Sequence, residues 1–294
     1  MIIVKLVGGL GNQMFQYAIG KHLSIHHKTI LKIDKGILGN EFQKGVTPRK
    51  LDLQLLNTEI NLASADEIES FTRLNRNRYV RGLMRYFPSF FKKAFISESG
   101  YRFHANFLHF PVDTYLLGFW HCSKYFSSIR ETLIKEFTPK SAVSENNNIY
   151  LNKIKESNSL GIHIRRGDYI SNPSASKYHG VLDSSYYYEA VQLISRTHPN
   201  LHIFIFSDDA HWVIHNLQFN YPTTYVQNNI DDQSVFDFYL MSQCKHQIIA
   251  NSTFSWWAAW LNQHIDKMVI APRKWLSNKK QTWSSVYPDD WILI

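Results

Sequence analysis

An α/β fold with parallel sheets is what the sequence predicts, and three observations carry it. Short apolar runs such as Ile2-Ile3-Val4 and Leu160-Gly161-Ile162-His163-Ile164 alternate with stretches of helical periodicity, as in proteins that lay helices on a mostly parallel sheet. The first run feeds a glycine turn, Gly8-Gly9-Leu10-Gly11, that opens a helix. Three later runs end in polar clusters: His163 to Asp168, Ser207-Asp208-Asp209, and Asn251-Ser252-Thr253-Phe254-Ser255. Parallel strands joined by helices bring such ends to one edge.

Met1 to Val7 reads as a central strand, since β-branched residues without alternation suit a strand covered on both faces. A helix is expected from Asn12, with Met14, Ala18, Ile19 and Leu23 as its apolar stripe. The loop between them has two readings. As a dinucleotide fingerprint, Gly9 and Gly11 fit and Asp34 stands at the spacing of a ribose contact, but Met14 is too bulky for the third small position. As a slim loop, it lets a substrate pass close to the backbone. Residues 40 to 110 form a mixed, helix-rich stretch without repeats. Tyr115 to Trp120 reads as a strand and residues 127 to 137 as a helix. The polar stretches Thr138 to Ser141 and Ser144 to Asn148 make the best connection, which divides the chain into domains 1–145 and 146–294.

In the second half the Leu160 strand is followed by a helix over Tyr186 to His198 and a strand over Leu201 to Phe206. A helix over Ser234 to Cys244, a strand over Gln247 to Ala250, a helix capped by Asn251 or Ser252, and a final strand over Met268 to Ala271 complete the alternation.

Composition narrows the partners. A hydrophobic fraction of 44% with 19% charged residues describes a globular chain with a sizeable core. The chain has no apolar run of membrane-spanning length, and Met1 to Lys5 leads into a glycine loop in place of a signal-peptide core, so a cytoplasmic protein is expected. Cys122 and Cys244 make neither a disulfide framework nor a metal cluster, and the 14 histidines show no paired metal-ligand spacing. The net charge of +8 (32 basic minus 24 acidic) is unevenly spread. Between Glu69 and Glu98 lie seven basic and no acidic residues, interleaved with aromatics, and Val80, Leu83, Met84 and Phe87 mark an amphipathic helix ending at Pro88. That basic 71–93 stretch is either a solvated helix face packing its stripe on the domain or a peripheral membrane contact at the inner face of the cytoplasmic membrane. No nucleic-acid-binding module accompanies it.

The clusters suggest a ligand. Arg165 and Arg166 offer guanidinium forks suited to phosphate, the alternative being a brace between an arginine and an aspartate in the loop. Ser252 and Thr253 offer hydroxyls and the start of a helix, which favours anions. Asp208, Asp209 and Asp237 could accept from ribose hydroxyls or the N–H donors of a purine. Arginine can supply the positive charge, so no metal is expected.

Four stretches, Gly8 to Ala18, His163 to Tyr169, Phe206 to Asp209 and Ala250 to Leu261, resemble the bacterial α-1,2-fucosyltransferases of glycosyltransferase family 11, in the family's order and across nearly the whole chain. The resemblance implies a GT-B architecture, two Rossmann-like domains facing across a cleft, with the acceptor side in 1–145 and GDP-fucose held by 146–294. It implies inverting transfer of fucose from GDP-β-L-fucose to the 2-hydroxyl of a galactose in a lipid-linked surface-glycan precursor of O-antigen or capsule type. Carried onto this chain, Arg165 contacts the β-phosphate with Arg166 in support, and His163 and Asp237 hold the guanosine. Ser252, Thr253 and Phe254 line the diphosphate and fucose, and Asn12 reaches the reacting centre. Asp168 is either the general base or a clamp on the arginines. Phe119 to Phe126 keeps Lys124-Tyr125-Phe126 but carries His121-Cys122 where polar residues are more usual, which leaves the acceptor open. A transferase using another GDP-sugar, and a non-catalytic nucleotide- or glycan-binding protein, are the alternatives.

Overall fold

The computed structural model describes residues 1–36, 38–39, 49–87, 90–98, 100, 103–167, 180–227, 229, 231–276 and 285–294. The chain forms two compact units, Met1–Phe137 with Ser284–Tyr287, and Thr138–Trp283 with Pro288–Ile294. The break therefore falls at Thr138, not after residue 145. Ser144 to Asn148 is no connection, because Ser144 Oγ accepts from the Asn147 N–H and caps a helix there.

The first unit holds four parallel strands, β1 (Ile2–Lys5), β2 (Leu31–Asp34), β3 (Lys93–Ser97) and β4 (Asp113–Leu117), in the order β2-β1-β4-β3. Val4 stands opposite Ile33 on one side and Leu116 on the other, so β1 is central as its composition demands. The order reverses between β1 and β4, and a polar group leaving either strand's carboxyl end arrives at that crevice. Helix α1 (Leu10–His26) starts two residues earlier than expected and is buried around most of its circumference. Its buried glutamines explain why. Gln16 Oε1 accepts the Val7 N–H, while Gln13 Nε2 donates to the Gly8 and Lys50 carbonyls and Gln13 Oε1 accepts from the Leu53 N–H. Buried polar side chains thus satisfy the loop backbone around them.

Asp34, read above as a ribose contact, is buried and accepts from the Tyr115 hydroxyl and the Gly36 N–H. This commitment to its own sheet removes the acid that a dinucleotide site needs. The basic stretch is two helices, α2 (Ala65–Arg76) and α3 (Arg78–Tyr86), separated by Asn77, whose Oδ1 accepts from the Tyr79 and Val80 N–H groups. Of its expected apolar stripe only Met84 is buried, whereas Leu83 and Phe87 are exposed. A short α4 (Arg130–Glu136) precedes the break.

The second unit holds six parallel strands in the order β10-β9-β8-β5-β6-β7. They are β5 (Asn158–Ile164), β6 (Leu201–Ser207), β7 (Thr223–Tyr225), β8 (His246–Ile248), β9 (Val269–Ala271) and β10 (Ile292–Leu293). Helices α5 (Glu145–Glu156), α6 (Ser184–Ser195), α7 (Ala210–Asn216), α8 (Ser234–Gln243) and α9 (Thr253–Leu261) accompany them. Leu160, Ile162 and Ile164 pack with Ile203, Ile205, Ile248 and the inner face of α6, Ala190 and Ile194 among it, as the core. Here the order reverses between β5 and β8, where Ile162 faces Ile248. The last strand is β10, not β9.

Gly8 has φ +81°, and a Cβ there would run into the Asn12 side chain, whereas a Cβ on Gly9 would meet only Arg49 at 3.7 Å. Gly8→Ala should cost about 1–2 kcal/mol from the left-handed backbone alone. Gly9→Ala should cost well under about 1 kcal/mol. Urea unfolding of the two variants checks the contrast.

Candidate active site

At the carboxyl end of β5 the two arginines are each tied to an aspartate from the end of β6. Arg165 Nη1 lies 2.9 Å from Asp208 Oδ2, and Arg166 Nε lies 3.2 Å from Asp209 Oδ2. Asp208 Oδ1 also accepts the Arg166 backbone N–H at 2.8 Å, and the Arg166 guanidinium lies 3.4 Å above the Trp212 ring. A Cβ on Gly167 would stand 2.8 Å from Asp208 Oδ2, so a side chain there would push the carboxylate away. Asp209 meanwhile caps α7 by accepting from the Trp212 N–H. The brace considered above therefore exists, but its acids are Asp208 and Asp209. Asp208, expected to touch the nucleotide, has both oxygens engaged within this turn. Asp168 lies outside the described residues.

His163, on β5 beside this clamp, is 5% exposed, and its Nδ1 has no hydrogen-bond partner among the described residues. Burial lowers its pKa to about 4; Asp208 pulls the other way and Arg165 adds to the lowering. The ring is thus neutral at pH 7, lying 5.4 Å from the Phe254 ring.

Phe254 belongs to the first turn of α9, across the point where the strand order reverses. Ser252 is its N-cap residue, and the Ser252 side chain makes no capping hydrogen bond among the described residues. The first-turn N–H groups of Thr253 and Phe254 have no acceptors within the helix and sit at its positive end, which suits an anion. Asp237 on α8 accepts from Asn229 Nδ2 at 2.7 Å, and Asn229 is held in turn by Asn147 from α5. Burial pushes Asp237 up to about 7, with the Asn229 hydrogen bond opposing. Asn147 and Asn229 were not singled out from the sequence.

The first unit has a counterpart at its own reversal. Asn12 Oδ1 and His121 Nε2 lie 3.1 Å apart, joining the first turn of α1 to the loop after β4. Glu98, which follows β3, accepts the Phe119 and Trp120 N–H groups through one oxygen, at 2.7 and 3.0 Å. Trp120 takes φ +59°, an uncommon conformation for a bulky side chain, and its buried Nε1 has no partner among the described residues. Glu98 also lines a cavity of about 540 Å³ with Arg81, Tyr86, His104 and Phe110. The sequence reading missed Glu98; its signal was an acid closing the run Lys93-Ala94-Phe95-Ile96-Ser97. Gly9 is the cap residue of α1, and Gly11 lies buried in its first turn.

Two parallel sheets with polar groups gathered where the strand order reverses define a ligand-binding, doubly wound α/β protein. The chain belongs to glycosyltransferase family 11, whose model ("Glycosyl transferase family 11") matches residues 1–294. It is 34% identical to the O-antigen biosynthesis glycosyltransferase WbnK of Escherichia coli over 98% of both chains. It is 33% identical to an Escherichia coli α-1,2-colitosyltransferase over 100% of this chain and 99% of the relative. Among solved structures, a mutant of Arabidopsis thaliana FUT1 in complex with GDP shares the fold, with a TM-score of 0.54 at 13% identity, covering 98% of this chain and 74% of that one.

Glu98→Ala would leave two amide N–H groups without an acceptor and should cost about 2–4 kcal/mol. Glu98→Gln keeps an oxygen there and relieves a carboxyl whose pKa burial raises, so it should stay within about 1 kcal/mol of wild type. Urea titrations of both variants test whether the oxygen or the charge matters.

Proposed function

We propose that the protein moves L-fucose from GDP-β-L-fucose, with inversion, to the 2-hydroxyl of a galactose in a surface-glycan precursor. The observation that carries the reading is the second unit's reversal point, where Arg165 in its clamp and the buried, neutral His163 stand opposite the uncapped start of α9. The four motifs shared with α-1,2-fucosyltransferases and the relative named for O-antigen biosynthesis supply the sugar and the setting.

In this reading the second unit holds the donor. Asp237 accepts from the guanine N–H donors, His163 Nδ1 meets the nucleoside, and Arg165 with the Thr253 and Phe254 N–H groups meets the diphosphate. The acceptor oxygen attacks the anomeric carbon as its bond to the β-phosphate oxygen breaks. The charge left on GDP falls on Arg165 and the helix end, so no metal is required for that step. The first unit offers the acceptor side, with Asn12 and His121 at the reacting centre. We assign the acceptor's proton to Asp168.

Pure protein incubated with GDP-fucose, a β-galactoside and EDTA should release GDP, and Arg165→Ala should lower kcat by about 10²–10³, as when one oxyanion donor is removed. Asp168→Asn should lower kcat while leaving GDP affinity unchanged; weakened GDP binding would make it a clamp instead. The relative named as a colitosyltransferase favours a second donor, GDP-colitose. Competition between the two donors decides, and preference for GDP-colitose would overturn fucose as the native sugar.

Asp237 makes the reading pH-dependent. Its folded pKa of about 7 lies above the ordinary 3.8, so the stability tied to its protonated form is complete below about 4 and lost as pH rises through 7. Guanine donors favour the carboxylate, so GDP binding should release a proton and tighten from pH 5.5 to 8. Asp237→Asn should bind GDP more weakly and show less of this dependence, the ionisation of the phosphate being common to both proteins. Calorimetric GDP titrations across that range provide the check.

A further inference from the structure

Away from the arginine clamp, seven basic and no acidic residues lie between Glu69 and Glu98, from the end of α2 through α3 to the start of β3, and apolar side chains are exposed among them. Five of the fourteen large apolar side chains exposed among the described residues lie between Tyr79 and Phe90. Four of the five, Tyr79, Leu83, Tyr86 and Phe90, follow the spacing i, i+4, i+7, i+11, and the first three of these share one face of α3. Tyr79 and Phe90 are 81% and 83% exposed, whereas Met84 at 2% and Phe71 at 0% tie α3 and α2 to the unit. Arg73, Arg76, Arg81 and Lys92 are exposed along the same stretch. Glu69 takes part of the Arg73 and Arg76 charge, and no acidic residue occurs from there to Glu98.

We propose that this face docks the first unit onto an anionic lipid bilayer surface. Tyrosine and phenylalanine rings favour the headgroup boundary, while arginine and lysine favour anionic headgroups above it. The helix is already formed and capped by Asn77, so binding does not have to pay for folding it. Charge complementarity selects the occupant. A second copy of the same face would set basic residues against basic residues, and a buried protein interface is depleted in such charge. The inference stands on this face alone and not on the identity of the donor. It also has a consequence for substrate delivery, because Arg81, Gly82 and Tyr86 of α3 line the cavity that contains Glu98.

The test is flotation of the full chain with vesicles of phosphatidylcholine alone and of phosphatidylcholine with about one-third phosphatidylglycerol, at low and high salt. Binding to the anionic vesicles, weakened by salt, is expected. Tyr79→Ser with Phe90→Ser should lower partitioning at least tenfold, and Arg76→Glu with Lys92→Glu should abolish the preference for anionic lipid. Both variants alter exposed side chains, so unchanged GDP release on a soluble galactoside would confirm that they fold. No vesicle binding, or equal binding to neutral and anionic vesicles, would overturn the proposal. So would self-association in sedimentation velocity that the aromatic variant removes, or binding to duplex DNA without vesicles that the charge-reversed variant loses.

Discussion

The ion pair between Arg165 and Asp208 sets the geometry of the whole β5 edge. Asp208 can reach both the Arg165 guanidinium and the Arg166 backbone only because Gly167 has no side chain, and Asp209 can take Arg166 only because the turn after β6 is already committed to capping α7. Removing one acid would leave a half-buried arginine to find another partner, which costs more than the pair contributes. The clamp therefore matters for orientation more than for stability: it holds a rigid fork in place at the carboxyl end of β5.

The first unit reaches a similar end by other chemistry. Where the second unit relies on charge pairs, the first relies on buried amides and one carboxylate. Gln13 and Gln16 hold the glycine loop from inside, leaving Asn12 to face His121. Glu98 holds the loop after β4 and with it the left-handed Trp120. Strained backbone persists only where its surroundings over-determine it, and here one oxygen accepting two consecutive N–H groups does so. Gly118 leaves room for that carboxylate, as Gly167 does for Asp208.

How much of this was legible depended on the range of each interaction. β5 and β6 could be read directly because a continuous apolar run is what a strand covered on both faces requires. β7 and β10 are three and two residues long and carry no such pattern. The three clusters at strand ends were legible as a group because parallel topology gathers them. Their internal division of labour was not: a sequence shows that Arg165 and Asp208 share an edge, but not which of them is aimed and which does the aiming. The role of Asp34 was not legible because its partner, Tyr115, is 81 residues away on a strand that is not its neighbour in the sheet. Asn147 and Asn229 meet across 82 residues, and Glu98 takes its two N–H groups from a loop 21 and 22 residues on, contacts that periodicity does not encode.

The charge distribution separates two uses of positive charge. Around the β5 edge, two arginines face two aspartates, His163 is neutral, and burial raises the Asp237 pKa to about 7. The cluster is close to neutral as built, so the fold does not have to bury an uncompensated cation when no ligand is present. The positive potential that remains comes from the start of α9, a fixed dipole that needs no counter-ion and no rearrangement to meet an anion. Exposed basic residues such as Arg81 and Lys92 lie instead on and after α3, where long-range attraction is strongest at low salt and specific geometry is not needed. Selectivity at the buried edge and attraction at the surface are thereby kept apart.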